Sequence, residues 1–131
     1  MNPGVRHFFR YQMPAIVWAA VIFFGSSIPG TKLPSFAHFI NDKVIHASIF
    51  FLLGILVYRA LEPKVKHQGL DWRRLFIAIS AVVLYGISDE FHQGFVPGRS
   101  VDYRDALADS LGGVLSALLI WLYERRKSAA A

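Results

Sequence analysis

Four apolar runs, each separated from the next by a polar segment, constrain what this sequence can fold into. They cover residues 8–27, 44–61, 75–88 and 106–123. A helix needs roughly 20 residues to cross a hydrocarbon core of about 30 Å, and polar flanks extend the shorter runs to that length. Because backbone amides in lipid must be hydrogen-bonded within their own segment, we predict that the runs are helices. The sequence therefore predicts an all-α polytopic membrane bundle of four transmembrane helices, roughly 8–27, 43–61, 74–92 and 101–123, in a single domain over residues 1–131.

The composition agrees with a membrane protein. Apolar residues make up 54% of the 131 residues and the mean hydropathy is +0.40, whereas soluble domains are about 45–50% apolar. Cys is absent, which excludes disulfides and thiolate metal sites. The formal net charge is +5, but the basic residues lie between apolar runs. We therefore expect a lipid bilayer as the partner and no nucleic acid.

The basic residues also predict an orientation, because Lys and Arg concentrate in cytoplasmic loops. Ten of the 14 Lys and Arg residues lie before or at the start of the first run, around the second connection or after the fourth run. These are Arg6, Arg10, Arg59, Lys64, Lys66, Arg73, Arg74, Arg125, Arg126 and Lys127. We expect both termini in the cytoplasm and the first and third connections outside. A cleaved signal peptide is the alternative for residues 1–27, which have a basic start and end in the small residues GSS.

This topology brings three polar segments together at the extracytoplasmic end. They contribute Asp42, Lys43 and His46 from helix two, Asp89, Glu90, His92 and Gln93 from helix three, and Arg99, Asp102, Arg104 and Asp105 from helix four. Helical spacing places Asp42 with His46, and Asp89 with Gln93, on shared faces. Asn41 is the predicted N-cap of helix two and Ser100 that of helix four.

Helix four carries a stripe of small and polar residues that we expect to face the other helices, because lipid cannot satisfy such groups. The stripe consists of Asp102, Asp105, Asp109, Gly112 or Gly113, and Ser116. A carboxylate about two turns inside a membrane helix costs on the order of 2.5–3.5 kcal/mol by insertion scales. We therefore expect Asp109 to be paired, hydrated or protonated, with Arg99, Lys43 or His46 as its candidate partner.

The segments DKVIH and SDEFHQGFVPGRSVDYRDALADSLGG, with SSIP at the end of the first run, resemble the signature of the VanZ-like family. The resemblance extends over nearly the whole chain and implies a small multi-pass protein of the bacterial cytoplasmic (inner) membrane. The founding member is associated with low-level resistance to the glycopeptide teicoplanin, so an effect on glycopeptide susceptibility is implied. The matched polar positions are Asp42, Lys43, His46, Asp89, Glu90, Gln93, Arg99, Asp102 and Asp105. The family commonly has Asn where this chain has Asp109.

Two classes of function fit these residues. In the first, the polar site binds or acts on a cell-envelope lipid headgroup or a peptidoglycan-related ligand (a cell-wall precursor). The ligand-binding residues would be Asp42, Lys43, Gln93, Arg99, Asp102, Asp105 and Asp109. In the second, a membrane enzyme uses His46, Asp89 and Glu90 for acid–base catalysis on a lipid-linked substrate.

Further alternatives stay open at this point. Carboxylates with His46 and His92 could hold a divalent, oxygen-preferring metal, although the sequence assigns no definite metal ligands and no cofactor. Neither H-E-x-x-H nor G-x-S-x-G occurs in the chain. Proton or ion movement, with Asp109 as a relay, is a third function.

Overall fold

The computed structural model describes residues 2–32, 41–63 and 69–130, and within these ranges it is helical without strands. The four long helices are α1 (Pro3–Ser26), α2 (Asp42–Ala60), α3 (Trp72–Gln93) and α4 (Tyr103–Ala129). All four are long and apolar enough to cross a membrane, which confirms the predicted all-α bundle of transmembrane helices. Lys64 and Lys66, two residues of the orientation argument, lie outside the described residues.

α1 and α4 extend well beyond the helix bounds that the sequence predicts. α1 begins at Pro3, where the side chain of Asn2 accepts a hydrogen bond from the Gly4 amide, and includes a π-helical turn over Phe8–Gln12. α4 continues to Ala129 through a polar and basic last turn. Hydropathy marks where a helix meets hydrocarbon, whereas the backbone hydrogen bonds continue into the polar flanks until a capping residue ends them.

Side-chain caps fix where the later helices begin. The predicted cap of α2 is confirmed, since the Asn41 side chain accepts from the Lys43 amide. The prediction for α4 is wrong: Asp102, not Ser100, is the N-cap, and its carboxylate accepts from the Arg104 amide. Asp102 has extended backbone angles (φ −123°, ψ 109°), so the helix cannot include it and starts one residue later. Such a cap stabilises a helix by about 1 kcal/mol.

α2 and α4 approach each other closely along the small residues of α4. A Cβ atom added to Gly112 would lie 2.3 Å from the carbonyl oxygen of Ala47, and one added to Gly54 would lie 2.0 Å from Ser116 Oγ. The structure buries the predicted stripe from the first turn of α4 onward, as Asp105, Asp109, Gly112, Gly113 and Ser116. Small residues allow this approach because membrane helices associate through close packing and not through apolar burial.

α1 is joined to the bundle by two hydrogen bonds from aromatic side chains. Trp18 Nε1 donates to the carbonyl of Ile49 at 2.9 Å, and Tyr85 Oη donates to the carbonyl of Ala19 at 2.7 Å. The opposite side of α1 exposes large apolar residues such as Phe24, which is 69% exposed. A hydrogen-bonded inner side and an apolar outer side are typical of a helix at the lipid-facing edge of a membrane bundle.

The connections after α1 and after α3 meet at one end of the bundle. The Gly30 amide donates to the carbonyl of Pro97 at 3.1 Å. A Cβ at Gly30 would lie 2.0 Å from the Gly98 carbonyl oxygen, and Gly98 itself has φ +75°, which favours glycine. The ends of α1 and α3 and the starts of α2 and α4 therefore lie together. We call this the polar end.

Candidate functional site

Lys43 joins the starts of α2 and α4 at the polar end. Its Nζ lies 2.9 Å from Asp102 Oδ2, contacts Asp105 as well, and lies 3.9 Å from Asp42 Oδ2. The Arg104 amide and the Lys43 ammonium group both lower the pKa of the Asp102 carboxyl below its usual value, because both stabilise the anion. Asp102 is therefore ionised at neutral pH. Lys43 links the starts of α2 and α4 at the partly exposed edge of the polar end, which we call the rim.

His46 and Asp109 form a buried pair one turn further into the bundle. His46 Nδ1 lies 2.9 Å from Asp109 Oδ1, and the side chains are 8% and 0% exposed. Of the three candidate partners for Asp109, the structure selects His46. The second carboxylate oxygen, Oδ2, is buried and makes no hydrogen bond within the described residues. It faces α3, since it lies 3.0 Å from the position that a Cβ of Gly86 would occupy.

Asp89 and Glu90 are buried at the end of α3, and Gln93 lies between them. Gln93 Nε2 donates to Asp89 Oδ2 at 3.1 Å and to Glu90 Oε1 at 3.3 Å. The Asp102 amide donates to Glu90 Oε2 at 3.1 Å. Glu90 therefore links the end of α3 to the cap of α4, and each of its oxygens accepts one hydrogen bond.

Sequence reasoning missed Ser26 at the end of α1. Its hydroxyl donates to Asp89 Oδ1 at 2.6 Å, so all four helices contribute to the site. The signal was present in SSIP, where a Ser pair ends an apolar run. A buried Ser on a membrane helix has to find an acceptor.

Three predicted residues lie at the edge of the site or away from it. Asp42 is at the rim, with its side chain 59% exposed and Oδ1 3.9 Å from His46 Nε2. Arg99 donates from Nε to the carbonyl of Ile28 at 3.2 Å and forms no salt bridge with any described residue. His92 bonds Ser27 Oγ at 2.9 Å and stacks on Phe23, which separates it from the carboxylates.

The buried part of the site has more acidic than basic groups. Four carboxyl groups, of Asp89, Glu90, Asp105 and Asp109, are at most 6% exposed. Their basic partners are the ammonium group of Lys43 and the imidazole of His46. Such a site favours cations and hydrogen-bond donors, whereas an anionic group would be repelled unless Arg99 or a bound cation met it.

Donor atoms converge in two sets that share His46. His46, Glu90 and Asp109 each offer one atom within 4.8 Å of the other two, and all three residues are buried. Asp42, His46 and Asp105 form a second set of the same size, with Asp42 exposed. One imidazole and two carboxylates can accept and release protons or ligate a divalent cation, so the arrangement supports either chemistry.

Comparisons with known proteins agree with the signature in the sequence. The chain is 35% identical over 130 residues to the uncharacterized protein C11E3.10 of the fission yeast Schizosaccharomyces pombe, an alignment covering 97% of this chain and 74% of the yeast protein. No solved structure matches the chain. The sequence profile of the VanZ/LLP1 family matches residues 12–124. This chain, a multi-pass membrane protein with four transmembrane helices, therefore belongs to the VanZ/LLP1 family, as DKVIH and the long polar signature predicted.

Proposed function

We propose that this protein binds the polar headgroup of a membrane or cell-envelope lipid at the polar end of its bundle. The observation that carries the proposal is the burial of His46 and four carboxyl groups among membrane helices at one end. Ionisable groups inside a membrane are costly, so they mark ligand or ion sites more often than structural pairs. The two core clusters of the bundle are apolar, and at the opposite end of the bundle Arg74 is paired with Glu62.

The headgroup that best fits the rim carries a phosphate. Among the residues that the structure describes, Arg99 donates only from Nε, to the Ile28 carbonyl, which leaves its two terminal amino groups for a bidentate contact with an oxyanion. Carboxylates and Gln93 beneath would accept from or donate to hydroxyl and amine groups. Because peptidoglycan is confined to bacteria, the fission yeast relative favours a lipid chemistry that bacteria and fungi share, such as a lipid phosphate ester.

The orientation is part of the proposal. We place the polar end outside, in the bacterial cytoplasmic membrane, because the basic residues cluster toward the opposite end. Precursors of the cell wall and the glycopeptides that recognise them meet on that same outer face. Occupancy of the site would then change access to that layer, and deletion of the protein should alter teicoplanin susceptibility in a bacterial host.

Cysteine labelling tests the orientation directly, because the chain has no natural Cys. In intact bacterial cells, a membrane-impermeant maleimide should label Ser100→Cys, whereas Lys127→Cys should react only after the membrane is permeabilised. Both positions are exposed, so accessibility to water does not favour either one. Labelling of Lys127→Cys in intact cells, with Ser100→Cys protected, would reverse the proposed orientation.

The headgroup contact is tested by Arg99→Lys. We expect binding of a short-chain phosphatidic acid to the purified protein to weaken roughly tenfold or more, because an ammonium group cannot make the two parallel bonds of a guanidinium. Arg104→Lys is the matched control: Arg104 is exposed at the start of α4, carries the same charge and should leave the affinity within about twofold. Equal losses in the two variants would mean general charge attraction and would contradict a site at Arg99.

Acid–base catalysis on a lipid-linked substrate is a second candidate, favoured by the His46–Asp109 contact. Asp109 holds Nδ1 at 2.9 Å, while Nε2 faces the rim toward Asp42 at 3.9 Å. A carboxylate that fixes one ring nitrogen leaves the other free to take a proton. Loss of a lipid product in Glu90→Gln cells, with Arg104→Lys cells unchanged, would favour this candidate over binding alone.

A further inference from the structure

The set His46, Glu90 and Asp109 has a feature that hydrogen bonding between side chains leaves unexplained. Asp109 is 0% exposed, yet its Oδ2 has no hydrogen-bond partner among the described residues. Leaving a buried acceptor unsatisfied costs about 1–3 kcal/mol, and more for a charged group. This oxygen faces α3, the helix that supplies Glu90. The geometry points to an electropositive ligand between α3 and α4.

We propose that His46, Glu90 and Asp109 bind a divalent transition-metal ion such as Mn²⁺ or Zn²⁺. Imidazole favours transition metals, while carboxylates supply the negative charge that a dication needs. The His46 Nδ1 to Asp109 Oδ1 distance is 2.9 Å. Two neighbouring ligands at about 2.1 Å from one ion are about 3 Å apart at the right angles of octahedral coordination, and about 3.4 Å apart at the tetrahedral angles usual for Zn²⁺. The spacing of this pair therefore matches two neighbouring ligands of one ion with near-octahedral angles.

The charges around His46, Glu90 and Asp109 favour a divalent cation. Glu90 is fixed from two sides, by Gln93 Nε2 and by the Asp102 amide, so its carboxylate is held in place for a ligand. Lys43, the nearest ammonium group to the site, is engaged at the rim with Asp102 and Asp105. Within the described ranges, the imidazole of His46 is the one basic group that compensates the deeper carboxylates of Glu90 and Asp109, and a dication would supply the remaining positive charge.

A bound ion would also attract the phosphate of the proposed headgroup into a site that is otherwise acidic. A dication with open coordination positions attracts phosphate oxygens that the carboxylates alone would repel. This link to a lipid phosphate rests on the proposed function, whereas binding of the ion by the three side chains does not. The two ideas can therefore fail separately.

The test is metal content of the full chain purified in detergent. After EDTA treatment and dialysis against Mn²⁺ or Zn²⁺, mass spectrometry of the metal should find about one ion per chain, and the electron paramagnetic resonance spectrum of Mn²⁺ should broaden on binding. Glu90→Gln and His46→Gln should weaken binding by more than about 100-fold, since even outer partners of a metal site contribute 10–100-fold. Circular dichroism and gel filtration verify that each variant is folded.

Asp105→Asn is the discriminating control, because Asp105 belongs only to the second donor set, with Asp42 and His46. It should keep the ion. Loss of the ion in Asp105→Asn with retention in Glu90→Gln would move the site to that second set and overturn the assignment, as would a wild-type chain that binds neither metal. An ion retained by wild type together with unchanged phosphatidic acid binding in Arg99→Lys would uphold the metal site and reject the proposed headgroup contact.

Discussion

Gly112→Ala should lower the free energy of unfolding of the bundle by about 3 kcal/mol, the upper end of the usual cost of overpacking. The added methyl group would lie 2.3 Å from the Ala47 carbonyl oxygen and 2.8 Å from the Phe51 nitrogen. Both are backbone atoms of α2, which cannot rotate away as a side chain would. α2 and α4 would have to separate, and the separation would disturb the contacts of Lys43 and His46 with α4.

Two further glycines provide the controls. A Cβ at Gly113 would meet the Val82 side chain at 3.0 Å, so Gly113→Ala should cost less, whereas nothing lies within 4 Å of a Cβ at Gly25. Gly25→Ala should be neutral or slightly stabilising, because Ala favours helix over Gly by about 1 kcal/mol. Unfolding in mixed micelles of a mild detergent and sodium dodecyl sulfate, followed by circular dichroism, measures the three values. The same stability for Gly112→Ala and Gly25→Ala would contradict the close helix contact.

The architecture was predictable because lipid leaves few alternatives. Apolar runs of membrane length must be helices, and short connections force neighbouring helices to run in opposite directions. That geometry alone brings Lys43 near Asp102 and Glu90 near the start of α4, which the structure confirms. Spacing of four residues likewise predicted that Asp89 and Gln93 share a face, and they are hydrogen-bonded.

Pairing within the site was not predictable to the same degree, because it depends on helix rotation and on distances of a few ångströms. The sequence offered Arg99, Lys43 and His46 as partners of Asp109, and only the packed bundle selects His46. The wrong cap at Ser100 has a similar origin. Ser and Asp are both good caps. The chain turns at Gly98, and the helix begins only after Asp102.

His46→Leu should destabilise the metal-free protein by roughly 3–5 kcal/mol, the cost of removing one partner from a buried ion pair. Leu is close to His in size, so the loss reports the uncompensated Asp109 carboxylate and not a cavity. Val44→Leu is the matched control on the same helix, since Val44 is 56% exposed on the outer surface, and it should change stability by less than about 0.5 kcal/mol. Unfolding in the presence of EDTA removes any contribution from bound cations.

The charge of Asp109 determines how much stability the His46→Leu variant loses. The Asp109→Asn variant removes that charge and so measures its contribution. Asn has nearly the same shape and no charge, so the single variant should be close to neutral or stabilising, because a buried carboxylate no longer needs compensation. In the Asp109→Asn background, His46→Leu should cost only about 1–3 kcal/mol, the value for a lost hydrogen bond to a buried group. The difference between the two backgrounds is the coupling energy of the pair. If His46→Leu costs the same in both backgrounds, His46 contributes packing alone, and the buried carboxylate must be neutralised by something other than this imidazole.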